Sequence, residues 1–432
     1  MKPEDLGTYY ESILDKEARK GGGVYYTPPF IVDYMVENSL GTLLEGKTVD
    51  EVAAIKIVDP SCGAGVFLLG VYQFLLDWHE KHFGNLTLEK RLKIVTDNIF
   101  GVDIDPLAVE ITKYCLSMKC SEGKDFTLDL NENIRCGNSL IDTDFCWQKN
   151  FPHVFKQGGF DIVIGNPPYV EAKKLKAVAA KLRGDYKVYS GTADLSVYFI
   201  ERGLQLCKPN GFLLYITTNK FFNTEYGKLV RSFLLKRQIR LMLNFEQVAV
   251  FSNSLVSTVI LGVNNAPVTS DTFRYQKYYR LNRKEVQSLF PDAIKTQGTY
   301  QQSLLGKGEW SFADTRELAL KEKIESAGKR IEKIECISVF RGVTTGYNPA
   351  FIIDQQKKQE LIQDDAKNKK LIKPLLQGRN IRRWVYNASD KFRNRSRNFT
   401  VYCSNGFSLS FYQERGRFSF VEQRRYAFAE KQ

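Results

Sequence analysis

Histidine is nearly missing from this chain, with 3 among 432 residues. That leaves little for an imidazole-built metal centre or a Ser-His-Asp triad, and His79 and His82 read as surface residues one turn apart on a polar helix end. No metal is expected. The 8 cysteines, at 62, 115, 120, 136, 146, 207, 336 and 403, form no Cys-x-x-Cys pair. This excludes a zinc ribbon or a disulfide frame and fits reduced, mostly buried thiols. No apolar run reaches the roughly 18 residues that a membrane-crossing helix needs. Met1-Lys2-Pro3-Glu4-Asp5 carries no signal core, so a cytoplasmic protein without membrane contact is expected. Internal repeats and long linkers are missing too.

What is present is ordinary globular composition, 43% hydrophobic, over a length that suits two or three domains. The net charge is +13, and after Leu371 thirteen Lys and Arg face four Asp and Glu. Nine of the surplus charges are therefore local, which fits either an acidic partner or a solvated face.

The most specific stretch is Phe160-Asp161-Ile162-Val163-Ile164-Gly165-Asn166-Pro167-Pro168-Tyr169. Asp161 to Ile164 reads as a buried strand that stops at Gly and Asn. Two prolines then fix φ and offer no N–H. The result is a stiff corner with an amide, a bare carbonyl and an aromatic ring at a strand's carboxyl end, where open α/β sheets bind ligands. An exocyclic amine conjugated to a ring is a poor nucleophile. The Asn166 oxygen and the Pro167 carbonyl suit its two hydrogens, which would turn its lone pair toward an electrophile, and Tyr169 offers a stacking face. The plain alternative is an Asx turn after a strand.

The chain before this corner reads as strand–loop–helix units. An amphipathic helix over Leu6 to Lys20 leads through Gly21-Gly22-Gly23 to Thr27, read as an N-cap with Pro28 at the first helical position; free N–H groups there could hold a carboxylate. A strand over Ala54 to Val58 runs into Asp59-Pro60-Ser61-Cys62-Gly63-Ala64-Gly65, and a helix follows over Val66 to Lys81. Gly63 and Gly65 allow close backbone approach, but Asp59 would repel a pyrophosphate and attract an ammonium, so the loop fits an amino-acid-bearing cofactor better than a dinucleotide. A second strand, Asn98 to Val102, ends in Asp103-Ile104-Asp105-Pro106, where an acid suits ribose hydroxyls. After a third strand, Ile134 to Cys136, Asn138 is placed to read an adenine edge or to close a turn.

Beyond the corner, Lys173, Lys174, Lys176, Lys181, Arg183 and Lys187 alternate with Tyr186 and Tyr189, a segment suited to phosphate contact or to a solvated loop. Then come a helix (Ala193 to Cys207), a strand (Gly211 to Thr218), a helix to Lys236, and the strands Arg240 to Phe245 and Ser257 to Val263, read as a hairpin at the sheet edge. About seven strands predict a Rossmann-like, doubly wound α/β domain over 1–300. A charged helix, Thr315 to Ser326, opens a second domain over 301–432. Its last residues, from about Lys391, show no clear period.

Taken in order, these motifs resemble the gamma-class N6-adenine DNA methyltransferases, in particular the modification and specificity part of type IIG enzymes of the Eco57I kind. The carrying segments are Gly22-Gly23-Val24-Tyr25-Tyr26-Thr27-Pro28-Pro29-Phe30-Ile31-Val32, the Asp59 to Gly65 loop, Asp103 to Pro106 and Asn166 to Tyr169. Val250 to Ser257 and Leu371 to Trp384 add to them. The resemblance implies S-adenosylmethionine held by Thr27, by Asp59, Pro60, Ser61, Cys62, Gly63 and Gly65, by Asp103 and Ile104, and by Asn138 and Pro168. It implies an adenine flipped out of double-stranded DNA, stacked by Tyr169 and Phe251, with Asn166, Pro167, Pro168 and Tyr169 as the catalytic tetrapeptide. DNA contacts would come from Lys173, Lys174, Arg379, Arg382 and Arg383, within a restriction–modification system that has room for a separate restriction endonuclease. Type IIG relatives carry an endonuclease region upstream, and this chain begins close to the first motif, so cleavage is not expected of it; the 301–432 recognition domain reads as incomplete. A protein-glutamine or RNA methyltransferase would share Asn-Pro-Pro-Tyr, and a silent specificity module is a third reading. The Phe251 loop and the basic C-terminal region favour DNA, and intact Asp59, Asp103, Asn166 and Tyr169 favour an enzyme.

Overall fold

Alternation of side chains along short apolar strands sets the architecture. β1 (Ile57–Asp59), β2 (Ile99–Asp103), β3 (Ile134–Cys136), β4 (Phe160–Gly165), β5 (Cys207–Thr218), β6 (Gln238–Glu246), β7 (Thr258–Asn264), β8 (Thr272–Tyr279) and β9 (Gly298–Gln301) form one sheet in the order β3-β2-β1-β4-β5-β7-β6-β8-β9. On the central strands Ile57, Ile162, Ile164, Leu214 and Ile216 join one buried cluster, while Val58, Val163, Leu213 and Tyr215 join the other. Both faces are therefore covered, as a sheet with parallel strands at its centre requires. The computed structural model describes Leu6, Tyr10 and residues 27–122, 128–175, 177–248, 250–251, 256–279, 281–293, 298–313, 315–328 and 353–372. Beyond these it describes the strand segments 381–382, 385–386, 399–402, 408–414 and 417–423.

The chain steps outward from β1 to β2 to β3, all parallel, then returns so that β4 pairs with β1. The order reverses between β1 and β4, and a crevice opens at such a switch point, beyond the strands' carboxyl ends. Helices α1 (Pro29–Val36), α2 (Val66–Phe83), α3 (Leu88–Asn98) and α4 (Pro106–Cys120) supply buried residues to the first cluster. α5 (Ala179–Asp185), α6 (Leu195–Leu206) and α7 (Gly227–Leu234) supply the second. The doubly wound α/β fold is as expected, with differences in detail.

Among the described residues the sheet has nine strands rather than seven. β6 and β7 are antiparallel neighbours, but β7 sits between β5 and β6, and β8 and β9 extend the sheet further. The hairpin is therefore internal. The first compact unit runs Met1–Phe312 and the second Ala313–Gln432. The segment past residue 300 stays with the sheet because Trp310 is buried, with its N–H on the Phe222 carbonyl at 2.9 Å, and Phe312 stacks on Tyr275 at 4.5 Å. His79 is 7% exposed rather than a surface residue, because α2 turns that face inward. Thr27 does not cap α1. Pro28 holds the cap position without a side-chain bond, and Pro29 is the first helical residue.

In the second unit, helices span Thr315–Ala327 and Gln355–Asp364, and a short ladder pairs β10 (Ile381–Arg382) with β11 (Val385–Tyr386). The stretch past Lys391, read as without period, contains an antiparallel sheet of β12 (Phe399–Tyr402), β13 (Ser408–Glu414) and β14 (Arg417–Gln423). The Leu6 to Lys20 helix and the Gly21-Gly22-Gly23 hinge lie outside the described residues, apart from Leu6 and Tyr10. No described helix is long and apolar enough to cross a membrane.

The strap that ends at Phe312 is open to test. Trp310→Ala should cost about 3–5 kcal/mol, the usual effect of emptying a buried indole site. Urea unfolding of the full chain measures it, and a loss below about 1 kcal/mol would mean that the strap is not part of the cooperative unit.

Candidate active site

A buried carboxylate stands at the switch point. Asp59 ends β1 and is 1% exposed. It fits there because Gly165, closing β4 alongside, has no side chain; a Cβ would fall 2.5 Å from Asp59 Oδ1. The Ser61 N–H donates to Asp59 Oδ1 at 2.9 Å. Burial, with the Asp103 charge nearby, pushes the Asp59 pKa up to about 8 against that hydrogen bond. Among the described residues no lysine or arginine pairs with it. A carboxylate in this position favours a cationic ligand, which would pay back its desolvation and ionise it.

The glycine loop is fastened to the next strand. The Cys62 N–H donates to the Val102 carbonyl at 3.0 Å, and the Gly63 N–H to Asp103 Oδ2 at 2.8 Å. Thr112 on α4 donates to the Gly63 carbonyl at 2.8 Å. Gly65 has φ +83° and starts α2, and a Cβ on it would sit 2.8 Å from Thr112. Glycine is needed there on both counts. Gly63, at φ +53°, has open space where a Cβ would point. Asp103 takes a second backbone bond from the Asp105 N–H at 2.9 Å, and burial raises its pKa. Each oxygen keeps a further lone pair, so the carboxylate can still accept from hydroxyls.

These groups line a cavity of about 550 Å³, a volume suited to a cofactor-sized molecule. Thr27, Asp59, Pro60, Ser61, Cys62, Gly63, Asp103, Ile104, Asn138, Asn166 and Pro168 all border it. Gly65 stands behind it as the start of α2. Ser61 Oγ is buried beside the Asp59 carboxyl. A buried carboxyl without a cationic partner among the described residues and an open glycine fit a ligand that bears an ammonium group. Asn138 Oδ1 accepts from the Leu140 N–H at 3.1 Å, so the oxygen closes a turn and holds the side chain in one orientation, with the amide nitrogen and the oxygen's second lone pair left to meet a base edge.

Beside the cavity stands the tetrapeptide. Asn166 Nδ2 donates to Thr27 Oγ1 at 3.1 Å, and Tyr169 donates to Asn166 Oδ1 at 2.8 Å, with the Ile216 carbonyl at 3.3 Å. The Tyr169 and Phe251 rings lie 6.2 Å apart at 59°. Phe251 is 2% exposed and packs in the first cluster. The chain reaches it through Gln247, whose φ of +54° is unusual for a side-chain-bearing residue. The carboxyl edge thus places cofactor-type residues on β3, β2 and β1 and aromatic and amide groups on β4 and beyond.

Lys174 borders the cavity, and Lys173 is exposed beside it. Arg382 lies on β10, whereas Arg379 and Arg383 fall outside the described residues. The basic segment after Tyr169 is folded. Leu175, Val178 and Leu182 line the cavity, Tyr186 is buried with its hydroxyl on the Leu140 carbonyl at 2.7 Å, and Lys181 pairs with Asp144. Arg202 on α6 holds the same corner, donating to Tyr186 at 2.9 Å and to Leu140 at 3.2 Å. This cap was missed, although Leu175, Val178 and Leu182 repeat at helical spacing beneath the lysines. Tyr10 was missed as well. It lines the cavity and its hydroxyl donates to Asp105.

The chain is similar to several known proteins. The family described as "Eco57I restriction-modification methylase" matches residues 97–251. The type II restriction enzyme and methyltransferase RM.Eco57I of Escherichia coli is 28% identical over 398 residues, covering 83% of this chain and 39% of that protein. The adenine-specific methyltransferase PglX of Streptomyces coelicolor is 27% identical over 267 residues, 53% of this chain and 22% of its own. This chain therefore spans less than half the length of either relative. Its fold is similar, at a TM-score of 0.57 and 17% identity, to a nuclease-deletion mutant of the Type ISP restriction–modification enzyme LlaGI solved with a DNA substrate mimic. That match covers 85% of this chain and 33% of the other. The resemblance to methylases of the Eco57I kind is borne out.

Asp59 yields a prediction with a definite sign. Its folded pKa, about 8, stands above the ordinary 3.8. The stability of the neutral form is complete below about 4 and is lost as pH rises through about 8. Asp59→Asn should therefore stabilise the unliganded protein at pH 8 by roughly 1–3 kcal/mol and much less at pH 4, while removing cofactor binding. Urea titrations at the two pH values measure the first effect and calorimetry the second. Equal changes at both pH values would show that the carboxylate is not perturbed.

Proposed function

We infer that this chain transfers a methyl group from S-adenosylmethionine to the N6 amine of an adenine in double-stranded DNA, as part of a restriction–modification system. The observation that carries this reading is Asn166, held at the carboxyl end of β4 on the wall of the Asp59 cavity. S-adenosylmethionine, when bound, supplies an electrophilic methyl group. Asp59 suits its ammonium, Thr27 and the loop its methionine part, Asp103 its ribose hydroxyls, and Ile104 and Asn138 its adenine.

Asn166 and Pro167 perform the positioning. The amide oxygen accepts from Tyr169 and keeps a second lone pair for one amino hydrogen, while the Pro167 carbonyl takes the other. Both acceptors are fixed before the substrate arrives, so the developing positive charge on N6 meets oriented dipoles without reorganisation. Holding the two amino hydrogens out of the ring plane would take the nitrogen lone pair out of conjugation and turn it toward the electrophile. Leu175, Val178 and Leu182 line the same cavity and would limit water around a ligand held there.

The test is methyl transfer from labelled S-adenosylmethionine to unmethylated genomic DNA, followed by nucleoside analysis. Label in N6-methyladenine is expected, and label in RNA or protein instead would overturn the choice of substrate. Asn166→Ala should lower kcat by about 10²–10³-fold, the usual cost of a lost oriented dipole, with cofactor affinity retained. A separate substitution, Phe251→Ala, should impair transfer to a paired adenine more than to a mismatched one, whose extrusion costs less. Equal impairment would remove Phe251 from base stacking.

A further inference from the structure

Thr27 stands in an unusual place for a residue whose expected work is to cap a helix. It is 2% exposed, it makes no capping bond, and it lines the cavity. Its Oγ1 lies 3.1 Å from Asn166 Nδ2, across 139 residues of sequence. On the far side of the same amide, Tyr169 donates to Oδ1. The asparagine is thus gripped at both ends by groups of opposite polarity, an acceptor on its nitrogen and a donor on its oxygen.

We propose that Thr27 is a positioning residue for Asn166, fixing which end of its amide faces the target amine. This rests on the methyl-transfer reading above and deepens it. The final torsion of an asparagine side chain is broad and close to two-fold, so oxygen and nitrogen exchange places at small cost unless neighbours distinguish them. The reaction needs the oxygen outward. A reversed amide would present N–H groups to an N–H₂ group, donor against donor, and would lose an oriented dipole where positive charge develops. Tyr169 alone does not prevent this, because a phenolic oxygen also accepts from an amide N–H₂ once it gives its proton to the Ile216 carbonyl, 3.3 Å away. Thr27 adds the second constraint once its own proton is given to an acceptor on a ligand in the cavity, because its oxygen is then left only to accept and a reversed amide would find no donor there. Its hydroxyl, while accepting from Asn166, keeps its own proton to donate into the cavity that it lines. Cofactor binding and amide orientation therefore meet at one oxygen.

Valine has the shape of threonine without the hydroxyl, and serine keeps the hydroxyl with less bulk. Thr27→Val should lower kcat at saturating S-adenosylmethionine by about tenfold or more, the worth of a hydrogen bond in a partly buried site. Thr27→Ser should stay within about threefold of the parent protein. A residue needed only for packing would give the opposite ranking, since valine preserves the bulk. A parallel readout does not depend on activity. The Asn166 side-chain amide resonances, identified by their loss in Asn166→Ala, should shift in Thr27→Val and return toward the parent position in Thr27→Ser. An unchanged kcat in Thr27→Val, or equal damage from serine and valine, would overturn the proposal. A parent protein that binds cofactor but methylates no DNA would instead sink the methyl-transfer reading, and the amide resonances would still decide the Thr27 contact.

Discussion

The site depends on one carboxylate that the fold keeps dry. Asp59 ends β1 beside the parallel strand β4, and it fits there because Gly165 alongside has no side chain. An ionised group in such a position is costly without a counter-charge, and among the described residues the Ser61 N–H is its backbone donor. The carboxyl borders the cavity. The Asp59 to Gly65 loop is bonded to β2 and α4, so it cannot collapse inward to satisfy the acid. Asp103 lies across the loop and makes the region still more acidic. The desolvation of this carboxyl is a cost concentrated at one site and offset by packing elsewhere in the fold.

From that point the carboxyl edge divides by chemistry. Toward β3 the side chains suit a cofactor with a charged amino-acid end and a sugar. Toward β5 and β6 they suit a flat ring with an amino group. Asn166 is on the border, and it is bonded to Thr27 on one side and Tyr169 on the other. Two ligands that must react need their reacting atoms within a few ångströms, and a single strand turn between their sites is the shortest way to arrange that. The proline pair makes the turn rigid, since neither residue can relax into a helix.

The parts of this that were legible in the sequence share a cause. β1 to β4 are short apolar runs closed by Asp, Gly or Asn, and both their burial and their termination are written locally. The resemblance to the Eco57I kind rests on the same stretches. What was not legible depends on partners distant in the chain. Thr272–Tyr279 is polar and aromatic because β8 lies near the sheet's margin, so it does not look like a buried strand. Trp310 and Phe312 belong to the first unit through contacts with distant residues, among them Phe221, Phe222, Tyr275 and Tyr300. Thr27 looked like a cap because threonine before proline often is one, and only its meeting with Asn166 reveals another use. The cap over the cavity was hidden by its own lysines, which drew attention to the outer face of a segment whose inner face is apolar.

The aromatic pair shows how the methyl-transfer reading and the resting structure fit together. A planar base cannot lie between Tyr169 and Phe251 while the rings stand 6.2 Å apart at 59°, since a sandwich needs near-parallel faces at twice the stacking distance. In its resting state the slot is filled by its own side chains, and Phe251 belongs to the core. Moving a buried phenylalanine toward water costs about 1.5–3 kcal/mol. A base entering the slot returns about 1–3 kcal/mol per stacking contact. The two are of similar size, so on the proposed reading opening is close to neutral for a flat aromatic ligand and uphill for anything else. The slot would then exclude water and flexible side chains from the amide without any separate gate.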